Sequence, residues 1–234
     1  MHDLTSGNTV LIIGASRGLG LAMAAEYVAR GWAVTATVRG ARRTALHDLA
    51  ESASDRLSVE ENVDITAPGQ VAALRDRVSG MAFDLLLVNA GITNGDVPAV
   101  GVSAETFTRV MVTNALGPVR AVEEFRDAVT RNGTIAVMSS RQGSITLNSN
   151  GGNDVYRASK SALNQLMRSF AARHSDDART ILLISPGHVK TRLGGASSPL
   201  TMGESVPKVI DVIARHAGEG GLHFLDYLDQ AVSW

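Results

Sequence analysis

Residues 9–20 read TVLIIGASRGLG. The run TVLII predicts a short strand at 9–13, apolar almost throughout. Three glycines, Gly14, Gly18 and Gly20, separate it from a stretch of helical periodicity at about 19–30. A turn this tight needs residues without side chains. Gly18 and Gly20 let the backbone approach an anion at the helix start, where unpaired amides and the helix dipole favour negative charge. Strand, glycine turn and helix in that order form the arrangement that seats the pyrophosphate of a dinucleotide, with Ser16, Arg17 and Leu19 completing the turn. The spacing here, three residues and then one, differs from the one-then-two spacing of the general fingerprint.

The same alternation continues outward along the chain. AVTATV (33–38), RLSVEENV (56–63), DLLLVN (84–89), GTIAVMS (133–139), TILLIS (180–185) and LHFLDY (222–227) read as further strands. Several are apolar throughout, as strands covered on both faces of a parallel sheet are. Between them the periodicity predicts helices at about 42–53, 69–79, 104–130, 155–174 and 203–216. The expectation is a doubly wound α/β fold of about seven parallel strands with helices on both faces, the whole of 1–234 forming one domain. Ligands of such a sheet bind beyond the carboxyl ends of its strands.

Bulk properties narrow the function. A chain of 234 residues, 44% hydrophobic, can bury a large core. A formal net charge of −1 provides no global field for nucleic acid or an anionic membrane, so neither is expected as a partner. The absence of cysteine excludes disulfides and thiolate chemistry. The N-terminal stretch MHDLTSGNTVLIIGASRG shows no cationic leader or membrane span, which predicts a cytoplasmic protein acting on small molecules.

A second motif, YRASK at 156–160, places Tyr156 four residues ahead of Lys160, one of only three lysines. On a helix both side chains share a face, so an ammonium can lie beside a phenol. At about 4 Å and an effective dielectric of about 20, that charge would favour the phenolate by up to about 4 kcal/mol before desolvation subtracts. The pair alone carries little weight, since short patterns recur by chance.

Taken with the glycine turn, NAG at 89–91, Asn114, SS at 139–140 and Pro186-Gly187, this motif makes the chain resemble the short-chain dehydrogenase/reductases over nearly its whole length. It looks most like their small carbonyl-reductase-like members of the C-factor and sniffer type, on SSRQGSI, YRASKSALN and GGLHFLDYLDQAVSW. The resemblance implies a catalytic tetrad of Asn114, Ser140, Tyr156 and Lys160. Tyr156 would exchange a proton with the substrate oxygen while a nicotinamide exchanges a hydride with its carbon. Ser140 would donate a hydrogen bond to that oxygen, with Ser139 as its rival, and Lys160 would hold the nicotinamide ribose. Asn114 would bend its long helix through a water and relay protons to Lys160. Asn89, Ala90 and Gly91 would line the adenine-ribose side, although Val88 departs from the usual Asn-Asn-Ala-Gly. Asp64 and Ile65 fall where relatives meet adenine. Val189 would meet the nicotinamide amide and Thr191 a phosphate, on the loop opened by Pro186 and Gly187.

An acidic residue at the end of the second strand would hold the adenosine ribose hydroxyls. This chain has Arg39 there and Arg17 in the glycine turn, and two guanidiniums suit a 2′-phosphate, so NADP(H) is expected over NAD(H). The competing reading leaves Arg39, Arg42 and Arg43 as solvated charges at the entrance of the next helix. The glycine- and serine-rich segment RLGGASSPLT predicts an open pocket or one ordered only by ligand, drawing on Ile145, Leu147, His188, Leu193 and 196–202. The other five histidines show no metal-ligand spacing, so no metal is expected. The substrate would be a carbonyl or its alcohol. The resemblance admits a homodimer or homotetramer packed through 104–130 and 155–174, or a monomer. An alternative function is an NADP-binding signalling or regulatory protein of C-factor type with little turnover.

Overall fold

In the computed structural model, which describes residues 8–53 and 55–234, β1 (Thr9–Ile13) lies inside one seven-stranded parallel sheet. The sequence reading of the N-terminus, so far as it concerns residues 1–7, lies outside the described residues. The other strands are β2 (Ala33–Thr37), β3 (Leu57–Glu60), β4 (Phe83–Val88), β5 (Val129–Met138), β6 (Thr180–Ser185) and β7 (Leu222–Asp226). Their order is β3-β2-β1-β4-β5-β6-β7, so the direction of winding reverses between β1 and β4. That reversal opens a crevice at the carboxyl ends of β1 and β4.

Alternation along each strand explains the continuous apolar runs. Leu11 and Ile13 of β1 enter the core shared with α3 (Pro68–Arg77), α5 (Gly117–Phe125) and α6 (Asp154–Arg173). Val10 and Ile12 enter the opposite core, shared with α1 (Gly18–Ala29), α2 (Ala45–Ser52) and α7 (Met202–Arg215). In β6 Ile181 and Leu183 divide in the same way from Leu182 and Ile184. Each such fully buried apolar side chain contributes roughly 1.5–3 kcal/mol. The Rossmann-type, doubly wound sheet expected from the sequence is what forms. No described helix is long and apolar enough to cross a membrane.

Three boundaries differ from the sequence reading. β3 stops at Glu60 rather than 63, because Asn62 takes a left-handed backbone (φ 58°) and breaks the ladder. The predicted helix 104–130 is instead α4 (Ala104–Met111), a π-helical turn at Val112–Leu116, α5 and a 3₁₀ turn at Arg126–Ala128. Pro118 has no N–H with which to engage the Asn114 carbonyl four residues back, and the Gly117 N–H bonds instead to the Val112 carbonyl. β5 then begins at Val129, where the helix was expected to continue. The Arg179 guanidinium takes the Val129 carbonyl in two hydrogen bonds of 2.8 and 3.0 Å, drawing it away from any helical turn.

Candidate active site

The glycine turn after β1 is held from behind. The Gly14 N–H donates to the Thr37 hydroxyl (2.9 Å), and the Asn89 amide donates to the Gly14 carbonyl (2.8 Å). Gly14 sits at φ 92°, and a Cβ there would lie 2.9 Å from the Ala90 nitrogen, so glycine is required on both counts. Gly20 packs against the Gly14 carbonyl and the Asn89 amide, bringing α1 close under the turn. Gly18, at φ 58°, faces open space within 4 Å of where its Cβ would be. The N-terminus of α1 has no side-chain cap and no acidic residue in its first turn. Its free amides, from Gly18, Leu19 and Gly20 with Ser16 before them, are left for an anion. Asn89 thus braces the turn from the exit of β4.

Charge at the outer end of this crevice favours an additional phosphate. Arg17 and Arg39 are exposed and form no ion pair among the described residues, nor does Arg42. Arg43 does follow the solvated-entrance reading, pairing with Asp48 (2.6 Å) and Glu51 (2.7 Å) on α2. Asp64 accepts from the Thr66 N–H and hydroxyl (2.9 and 2.7 Å) and so builds the turn leading to α3. The Ile65 side chain is buried in the core near Gly117, leaving its main chain as the part able to meet a ligand.

Asn114, fully buried in the π-helical turn, grips the strand exit after β4. Its Oδ1 accepts from the Ile92 N–H and its Nδ2 donates to the Ile92 carbonyl, both at 2.8 Å, and Nδ2 also reaches the Ser159 hydroxyl (2.9 Å). Protein groups therefore engage the side chain, and Gly117 and Pro118 lie where the helix bends. Ser159, missed in the sequence, donates in turn to the Tyr156 carbonyl (2.7 Å) and ties the π turn to α6. A Cβ on Gly91 would lie 3.6 Å from Asn114 Oδ1 and 3.8 Å from Lys160 Nζ, so this glycine keeps the space between them clear.

The two serines after β5 separate by their partners. The buried Ser139 hydroxyl donates to Asn164 Oδ1 (2.6 Å) on α6 and is committed there. Ser140 accepts from the Gln142 N–H (3.1 Å), which leaves its own proton available, and its hydroxyl interacts with Tyr156. Gly143 presses on the Lys160 backbone, its carbonyl taken by Ser161 (2.9 Å) and Asn164 (3.3 Å). Arg141, pinned to Ser185 and to the buried Asp226, fixes the other side of this turn. Sequence spacing singled out none of these braces, since they join segments up to 85 residues apart.

Tyr156 and Lys160 do share a face of α6, with the ammonium 5.9 Å from the phenol ring centre. The expected lowering of the phenol is reversed. Burial pushes Tyr156 up to about 12, with Ser140 opposing, while burial pushes the Lys160 ammonium down to about 8. The physical reason is that α6 packs against the core, burying the Lys160 ammonium and leaving the Tyr156 phenol only partly exposed. Lys160 also spends one N–H on the Met138 carbonyl (2.8 Å), keeping two donors free.

The loop after β6 is knit by its own bonds rather than loose. Lys190 donates to the Leu200 carbonyl (2.7 Å), Thr191 Oγ1 accepts from Gly194 N (3.0 Å), and the buried Ser198 holds Gly194 (2.8 Å). Pro186 and Gly187 turn the chain here, Gly187 at φ 83° against Tyr227. Val189 is buried, and His188 donates to the Gly194 carbonyl (2.9 Å). Ile145, Leu147 and Leu193 are exposed. Donor atoms of His216, Glu219 and His223 lie within 4.8 Å of one another, a grouping that the sequence reading did not pick out. Their spacing was not recognisable because it crosses a helix end, a glycine turn and a strand.

Comparison with known proteins places these features in context. A sequence model described as short chain dehydrogenase matches residues 8–199. A short-chain dehydrogenase/reductase from Burkholderia multivorans, solved with bound NADP, superposes with a TM-score of 0.95 at 50% identity, covering 98% of this chain and all of that one. The carbonyl reductase Sniffer of D. melanogaster superposes at 0.90 and 25% identity, over 98% and 100% of the two chains. C-signal of Myxococcus xanthus is 34% identical over 158 residues, 64% of this chain and 92% of the relative.

Proposed function

Because the chain belongs to the short-chain dehydrogenase family, we propose that its cleft reduces an aldehyde or ketone with NADPH, the reverse alcohol oxidation also being open to it. The observation that carries this reading is the convergence of the Tyr156 phenol, the free Ser140 proton and the Lys160 ammonium at the carboxyl end of β5, beside the glycine-lined crevice. The residues present fit a dinucleotide: an uncapped α1 N-terminus, the open space over Gly18, the clearance at Gly91 and the unpaired Arg17 and Arg39. Bound there, the nicotinamide supplies the hydride.

Everything else falls to the chain. Arg17 and Arg39 take the 2′-phosphate, the α1 amides the pyrophosphate, and Thr191 donates its free hydroxyl proton to a nearby phosphate. The two uncommitted N–H groups of Lys160 hold the nicotinamide ribose hydroxyls. Ser140 donates to the substrate oxygen as negative charge develops on it. Tyr156, held protonated by burial, donates its proton to that oxygen. With its phenol protonated at neutral pH, Tyr156 is in the state that the reductive direction uses. Asn114 positions Lys160 through Ser159 and α6, and its main-chain carbonyl, which Pro118 four residues on cannot engage, is the group that relays protons. Lacking cysteine and using a diffusible cofactor, the protein suits the cytoplasm.

The test is NADPH absorbance decay against a panel of aldehydes and ketones with identification of the alcohol formed. Saturable NADPH binding with no alcohol from any carbonyl would instead favour the signalling reading, which rests on the resemblance to C-signal.

A further inference from the structure

Away from the cleft residues, donor atoms converge where α7 ends and β7 begins. His216 closes α7, Glu219 stands in the following turn, and His223 is the second residue of β7. We propose that this trio binds one divalent first-row transition-metal ion of the zinc class, two imidazoles and one carboxylate leaving a position for water.

Distances come first. His216 Nδ1 lies 2.6 Å and His223 Nε2 lies 3.9 Å from the same oxygen, Glu219 Oε2, and all three donors fall within 4.8 Å. Ligands bound tetrahedrally at about 2.0–2.1 Å stand roughly 3.3 Å apart, a value these separations bracket. Small side-chain rotations therefore suffice. Their cost includes releasing the His223 Nε2–H from the Gly220 carbonyl (2.9 Å).

The surroundings already orient the first ligand. His216 Nε2 bonds to Asp229 Oδ1 (2.7 Å), leaving Nδ1 turned to Glu219, which is the carboxylate–histidine arrangement that fixes a metal-binding ring. Asp229 is anchored by Arg215, so its charge is engaged rather than free to ligate. It also holds a left-handed backbone (φ 63°) to reach His216. His223 reaches the same network through Glu219 at 3.9 Å, and its ring stands 5.5 Å from that of His216. Two imidazoles beside one carboxylate select zinc, cobalt or nickel over magnesium or calcium, which prefer all-oxygen shells. Glu219 and His223 are partly exposed, giving an ion a route in. A bound ion would staple the α7 terminus to β7 across a turn of three glycines in left-handed conformations, Gly218, Gly220 and Gly221.

The experiment titrates ZnCl₂ into untagged full-length protein by calorimetry and follows Co²⁺ by its visible absorption. One equivalent should bind, MgCl₂ should not compete, and zinc should raise the thermal midpoint. His216→Ala, His223→Ala and Glu219→Gln should each weaken binding at least about tenfold and abolish the thermal shift, and Asp229→Asn by about 10- to 100-fold through the lost orienting bond. Should His216→Ala fail to fold, the half-exposed His223→Ala and Glu219→Gln decide alone. Absence of saturable zinc binding overturns the proposal, as does stoichiometric binding that survives both of those substitutions.

Discussion

Asn114 clasps Ile92 by both of its main-chain groups, accepting from the N–H and donating to the carbonyl at 2.8 Å each. The residue thereby joins the exit of β4 to the π-helical turn and, through Ser159, to the helix carrying Tyr156. Replacing it with alanine leaves the part-buried N–H and carbonyl of Ile92 without this partner and takes from the Ser159 hydroxyl the bond it accepts, at about 1–3 kcal/mol for each group left unsatisfied. Asn114→Ala should lower stability by several kcal/mol in denaturant unfolding and reduce kcat. Asn114→Asp keeps the acceptor for the Ile92 N–H but turns a second acceptor oxygen toward the Ile92 carbonyl at a fully buried site, so it should lose stability as well.

Ser139 and Ser140 are adjacent but committed differently, so alanine at each should fail differently. Ser140→Ala should cost about 10²- to 10³-fold in kcat with little change in stability, as expected for a lost oxyanion donor. Ser139→Ala, which orphans Asn164 Oδ1 in the core, should lower the thermal midpoint and spare most of kcat. Paired kinetics and melting curves for the two variants check this, and a reversed pattern would exchange their roles.

Lys160 carries a pH signature. Its folded pKa of about 8 lies below the unfolded 10.5, so between these values the unfolded chain binds more protons and stability rises with pH. Below pH 8 the full cost of burying the ammonium, about 3 kcal/mol, is present; above 10.5 it is gone. Lys160→Met removes this cost but leaves the Met138 carbonyl unpaired at every pH. The stability of Lys160→Met relative to the parent should therefore fall by about 3 kcal/mol from pH 8 to 10.5. Urea unfolding across that window measures it, and a pH-independent difference would contradict the burial argument.

Arg39 is exposed and without an ion pair among the described residues, so its removal should cost little stability. Arg39→Asp places a carboxylate where the 2′-phosphate would lie. NADPH affinity should fall by about 10- to 100-fold, the worth of a charge-assisted hydrogen bond, while NADH affinity holds or rises. Fluorescence titration with both nucleotides distinguishes this from a general loss of binding.

The parts of this structure legible in the sequence are those set by local periodicity. TVLII and TILLIS announce two-sided burial, and the spacing from Tyr156 to Lys160 announces a shared helix face. Features set by distant partners are not visible there. The break at 112–116 has a local sign in Gly117-Pro118 that the helical reading passed over, whereas the partners of Asn114, Ile92 22 residues away and Ser159 45 away, leave no local sign. The direction of the Tyr156 shift was misread for a similar reason, since it depends on how deeply α6 packs. The His216, Glu219 and His223 cluster forms only once a glycine turn folds a strand back beside a helix end.

The most direct test of the account is Tyr156→Phe, which deletes one hydroxyl from a packed helix. With a carbonyl that the parent protein reduces, the variant should bind NADPH with unchanged affinity and consume it about 10²- to 10⁴-fold more slowly, the range for loss of a positioned general acid. A variant that reduces the carbonyl at the parental rate would show that the proton comes from elsewhere, and the assignment of this cleft's chemistry to Tyr156 would fall.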